Sequence, residues 1–146
     1  MSKAESADLI LKLYDLRREA KMREARNWMI GFLPESAAEI MQAMIAAETS
    51  AYYRMVTSYW DMAAAMVNHG AIDEEMFADA HGEHIIVFSK IEPFLSELRE
   101  TMGSPKMFSN LETLIMKMPD AKEMLAGRRE MIKRMVEARR EMAKNA

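Results

Sequence analysis

Apolar positions recur at helical spacing along nearly the whole chain and are densest between Ser50 and His69. In SAYYRMVTSYWDMAAAMVNH, Tyr53, Val56, Trp60, Ala63 and Val67 form one stripe, widened by Tyr52, Tyr59, Ala64 and Met66. The polar residues Arg54, Ser58, Asp61 and Asn68 fall on a single line, interrupted by Ala65. A helix with so narrow a wet face must be covered on most sides. The pattern therefore predicts an all-α fold, a single helical domain spanning 1–146, with five to seven helices around Ser50–His69.

The same reading places the other elements. A first helix is expected from Ser6, as N-cap, to Trp28, with Leu9, Leu13, Leu16 and Ala20 inward and Gly31 and Pro34 closing it. Ser36 with Glu39 makes a capping-box pattern, followed by inward Ile40, Met41, Met44 and Ile45. Cap chemistry at Glu48-Thr49-Ser50 divides this helix from the central one, although one long helix over 36–69 also fits. Gly70 and Asp73 then predict a tight αα-hairpin, Gly supplying the left-handed turn and Asp the next cap. Short helices are expected over Asp73–Ala80, Glu83–Lys90 and Pro93–Met102, then Ser109–Lys117 after a turn at Gly103-Ser104-Pro105. His84–Phe88 is rich in β-branched residues, yet no second run exists to pair with it, so it is assigned to helix. The last helix starts from an Asp120/Glu123 capping box. Its Met124, Met131, Met135, Ala138 and Met142 follow a near-coiled-coil seam broken by Arg128.

Composition narrows the class. The chain has 146 residues and no Cys, which excludes disulfides and thiolate metal sites and favours a cytoplasmic setting. No segment has the uncharged apolar length of a membrane span, and the N-terminus meets charge too early for a secretory signal. The net charge of −3 is unevenly spread. Residues 1–33 carry seven Lys or Arg against five acids, 34–103 carry three against twelve, and 104–146 carry ten against six. Such blocks complement each other within one bundle or across a dimer. The seventeen Met residues suit irregular packing, a pocket or a dimer interface. The basic C-terminal helix is interspersed with Glu130, Glu137 and Glu141, so a salt-bridged outer helix is favoured over a nucleic-acid or membrane-surface binder.

Candidate chemistry is sparse. His81 and His84, with Asp79 and Glu83 beside them, are the only set of side chains suited to Zn, Fe or Mn. The Glu-x-x-His pairs of di-iron bundles are missing and Gly82 interrupts the helix, so packing histidines are the simpler reading. Asp61 is the one acid within the apolar helix, either a solvated carboxylate or a ligand anchor. There is no Gly-rich phosphate loop, no Ser/His/Asp order and no Cys nucleophile, hence no catalytic residue is assigned and no cofactor expected.

The stretches YYRMVTSYWDMAAAMVNHGAIDEEMF and GEHIIVFSKIEPF resemble a group of uncharacterised bacterial helical domains over residues 50–102. The resemblance implies an apolar helix, a Gly-Ile-Asp hairpin and a second apolar helix running into Pro, and carries no activity. The expected function is a non-enzymatic interaction or regulatory protein, homodimeric, with no nucleic-acid partner. The alternative is a bundle holding a small apolar ligand or a metal ion. Its pocket would lie near Tyr53, Tyr59, Trp60, Asp61 and His69, with His81 and His84 adjoining.

Overall fold

The computed structural model describes residues 2–146, and these form nine α-helices with no strand among them. They are α1 (Lys3–Arg17), α2 (Ala20–Gly31), α3 (Ala37–Ile45), α4 (Ser50–Asn68), α5 (Glu74–Ala80), α6 (Glu83–Ile91), α7 (Leu95–Met102), α8 (Ser109–Met116) and α9 (Ala121–Lys144). A single 3-10 turn at Glu92–Phe94 carries Pro93 and joins α6 to α7. None of these helices is long and apolar enough to cross a membrane.

The aromatic helix α4 lies at the centre, packed most extensively on α2 and α8 and also on α3 and α5. Tyr53, Val56, Tyr59, Trp60, Ala63, Ala64 and Val67 are all buried, while Arg54 and Ser58 stay exposed. The narrow polar line read from the sequence is wet only at its Arg54–Ser58 end; farther along it Asp61 and Asn68 meet Asn110 and Leu111 of α8. His84–Phe88 lies inside α6, and α6 in turn carries α9 on its outer side.

Local signals set most boundaries. Ser36 accepts the Glu39 N–H at 3.2 Å, and α3 stops at Ala46, whose backbone turns extended. Thr49 Oγ1 donates to the Ala43 carbonyl at 2.7 Å, which fixes the corner between α3 and α4. Gly70 adopts φ +82°, a region that penalises any Cβ, and the Ala71 N–H returns to the Met66 carbonyl at 2.9 Å. Ile72 is buried behind the turn, and Asp73 accepts the Met76 N–H at 2.9 Å to start α5.

The helices among the described residues number nine rather than five to seven, and several local expectations also require correction. The first helix is two, because Glu19 turns extended and caps α2 by accepting the Met22 N–H at 2.9 Å. This break lets Ile10 and Leu13 of α1 and Met22, Ala25 and Met29 of α2 reach the same core, which one straight rod could not do. Ser2 is the N-cap, with Glu5 completing its capping box; Ser6 is buried and its Oγ accepts the Asp73 N–H at 3.0 Å. Leu16, Ala20 and Ile45 do not face inward; Leu16 and Ile45 are 57% and 81% exposed. Asp120 takes a left-handed backbone (φ +51°), which turns its carboxylate away from the Glu123 N–H, so the second capping box does not form.

The seam of α9 is shifted by one residue. Leu125, Ile132 and Val136 are buried, whereas Met135 and Met142 are 56% and 74% exposed. Arg129 sets this rotation by donating to the Ser89 carbonyl at 2.8 Å and lying 3.7 Å from Glu92. Beyond Val136 every residue of α9 is exposed.

Candidate functional site

The indole of Trp60, fully buried on α4, organises the one place where the sequence-assigned site residues meet. Its Nε1 donates to Glu83 Oε2 at 3.1 Å. Glu83 occupies the first turn of α6, where the helix dipole favours a carboxylate. It also receives Arg26 of α2 in a two-pronged pair, Nη2 to Oε1 at 2.9 Å and Nε to Oε2 at 3.0 Å. Arg26 Nη1 reaches the Arg17 carbonyl at the end of α1 at 3.4 Å, so one ion pair ties α1, α2, α4 and α6 together.

On the next faces of the same indole lie His81 and His84. His81 ends α5 in an extended conformation, and Gly82 lets the chain turn before α6 begins. The His81 ring stands edge-on to Trp60 at 5.5 Å, that of His84 lies tilted at 5.8 Å, and Phe77 packs against both at 4.7 and 5.0 Å. The two residues are only 7% and 4% exposed. Both ring nitrogens of His81 and Nδ1 of His84 are buried with no hydrogen-bond partner among the described residues. Burial holds both imidazoles neutral at pH 7. It lowers the His81 pKa with help from Arg17, and takes that of His84 down to about 4, assisted by His81 and Arg128.

The two rings line a cleft of about 410 Å³ between α5, α6, α8 and α9. Its apolar wall is Phe77, Ile85, Leu114, Ile115 and Met118. Glu74 stands at its edge, paired with Lys117 Nζ. Arg128 of α9 stands there too, half-buried, and forms no ion pair or hydrogen bond with any described residue. The break that Arg128 makes in the methionine seam is thus a cation turned toward the cleft. Arg128 and the α8 wall are the functional candidates missed from sequence, and that misplaced charge was the only hint of them.

The remaining assigned residues stand elsewhere. Tyr53 is deep in the core, its hydroxyl without a partner among the described residues, and burial pushes its pKa far up. Tyr59 donates its hydroxyl to the Leu13 carbonyl, and burial raises its pKa to about 12. Asp61 accepts Asn110 Nδ2 at 3.1 Å and the Leu111 N–H at 3.0 Å, so it caps the first turn of α8 from another helix. His69 is exposed at the end of α4. None of these four lines the cleft. Asp79 is exposed and Glu83 is committed to Arg26 and Trp60; among the described residues no three His, Asp or Glu side chains are grouped so as to hold a metal ion.

A second buried cation has a structural assignment. Lys90 Nζ donates to the Met29 carbonyl and, at 3.1 Å, to the Ile30 carbonyl, closing the C-terminus of α2. Burial lowers its pKa to about 8.

Residues 3–118 match the family model described as a domain of unknown function, DUF4760, so the match spans α1 to α8 and ends before α9. Neither curated proteins nor solved structures give a match.

Proposed function

We propose, from the premise that this chain belongs to the DUF4760 family of domains of unknown function, that it is a non-enzymatic binding module that holds a small ligand in the cleft beside His81 and His84. One observation carries the reading: two nine-tenths-buried imidazoles that no described residue satisfies line a concave apolar surface of ligand size. A buried polar atom without a partner costs about 1–3 kcal/mol, and such groups in native proteins call for a functional account. Binding is favoured over turnover because neither imidazole is oriented by a carboxylate, and the adjacent Glu83 is already held by Arg26 and Trp60. The setting is cytoplasmic, which the lack of cysteine supports.

Thermal-shift and calorimetric titration with small amphipathic compounds tests this. Leu114→Trp, which fills the cleft from α8, is expected to abolish binding while retaining the helical circular dichroism of the parent. Binding that survives the substitution, or its absence across the panel, refutes the reading.

A dimer through the outer part of α9 is a second reading, favoured by a separate observation. Met135 and Met142 are exposed on a helix whose residues beyond Val136 are all exposed, and an uncovered helical end of that length is marginal alone. Light scattering at micromolar concentration is expected to give a dimer that truncation after Val136 converts to monomer. A parent chain that is monomeric at all concentrations refutes it.

A further inference from the structure

Resting on the cleft as a binding site, we infer that its ligand is a small monocarboxylate with an apolar body, and that Arg128 anchors the carboxylate. Arg128 is a half-buried guanidinium at the cleft with no acidic partner among the described residues, while the one acid there, Glu74, is already neutralised by Lys117. The cleft therefore presents an uncompensated positive charge over walls of Phe77, Leu114, Ile115 and Met118. A guanidinium matches a carboxylate with two parallel N–H···O bonds.

Other ligand classes fit less well. A cation meets Arg128, and a metal ion finds no third ligand among the described residues. A phosphate dianion would have to shed its water against a wall of aliphatic and aromatic carbon, with one guanidinium to compensate two charges. A carboxylate asks for one cation and a few donors, and its hydrocarbon portion uses the wall that a compact anion would leave empty. Arg128 stands on α9, outside the span matched by the family, so the family domain supplies the apolar pocket and the appended helix supplies the charge selection.

The test compares octanoate with 1-octanol, which shares the chain but not the charge, by titration calorimetry on the full chain. Octanoate is expected to bind the parent about tenfold or more tighter, as a charge-assisted bidentate contact implies. Arg128→Gln should remove that preference, weakening octanoate far more than octanol, whereas Arg128→Lys should retain part of it. In NMR titrations the ring signals of His81 and His84 should shift with octanoate in the parent. Equal affinity for acid and alcohol, with Arg128→Gln silent, overturns the carboxylate assignment but leaves the cleft as a binding site. Binding of neither compound, together with no effect of Leu114→Trp on any ligand, overturns the cleft reading itself. Should Arg128→Gln fail to fold, the acid–alcohol comparison and Arg128→Lys decide the matter alone.

Discussion

Mild acid should weaken this fold through His84 before any carboxylate takes part. Protonating the imidazole in place means charging a group that is 4% exposed, packed between Trp60 and Phe77 and facing His81 and Arg128; only Glu83 favours the charge. Its pKa falls from an ordinary 6.5 to about 4 in the folded chain. Between those values the unfolded chain binds a proton that the native state refuses. Stability is therefore intact above pH 6.5 and is lost as the pH falls toward 4. At 1.36 kcal/mol per pKa unit, the loss at pH 5 is about 2 kcal/mol from His84, and His81 adds to it in the same direction. The carboxylates shifted downward by backbone hydrogen bonds, Glu19 and Asp73, hold their stabilisation until still lower pH, so the window from 6.5 to 5 isolates the histidines. Urea unfolding followed by far-UV circular dichroism at pH 7 and pH 5 measures the effect. With a slope of about 2 kcal/mol per molar urea, the midpoint of the parent should drop by about 1 M. In His84→Leu, whose side chain is neutral at both pH values, most of that drop should disappear. Equal drops in parent and variant would show that the imidazole is not desolvated as described.

Three further outcomes follow from the same geometry. Glu83→Gln leaves the Arg26 guanidinium part-buried without its counter-charge and weakens the Trp60 contact. It should cost about 1–3 kcal/mol and alter Trp fluorescence, and a change within error on both counts contradicts the tie described. Lys90 should make the parent more stable as pH rises from 7.5 to 9.5, because the unfolded amine keeps its proton to about 10.5 while the buried one releases it near 8. The gain is about 2 kcal/mol, read as a urea midpoint that Lys90→Met renders flat. Asp61→Ala frees the Leu111 N–H and Asn110, so hydrogen exchange at the start of α8 should accelerate and stability fall by about 1–2 kcal/mol; unchanged protection there would exclude the cap.

Most of what depends on neighbours a few residues away was legible in the chain itself; the local caps at Ser2 and Glu19, which start the first two helices, were not. The wrapped face of α4, the Ser36 cap, the left-handed Gly70 followed by Asp73, the corner at Thr49 and the helical state of His84–Phe88 all answer to side-chain period, φ preference or a short hydrogen bond. Other misplaced features were decided by partners distant in sequence. Ser6 and Asp61 carry polar atoms that suit either a local cap or solvent, and each instead satisfies a backbone N–H more than forty residues away. Glu83 beside two histidines reads as a metal ligand until Arg26 of another helix claims it. Methionine tolerates core and surface alike, so periodicity alone could not say that α9 buries Leu125, Ile132 and Val136 rather than its Met seam. The cleft, too, exists only in the tertiary structure. Phe77, His81 and His84 come together at helical spacing, but the α8 wall of Leu114 and Ile115 and the cation on α9 lie beyond the reach of any helical period, and only the packing of α5, α6, α8 and α9 brings them to one cleft.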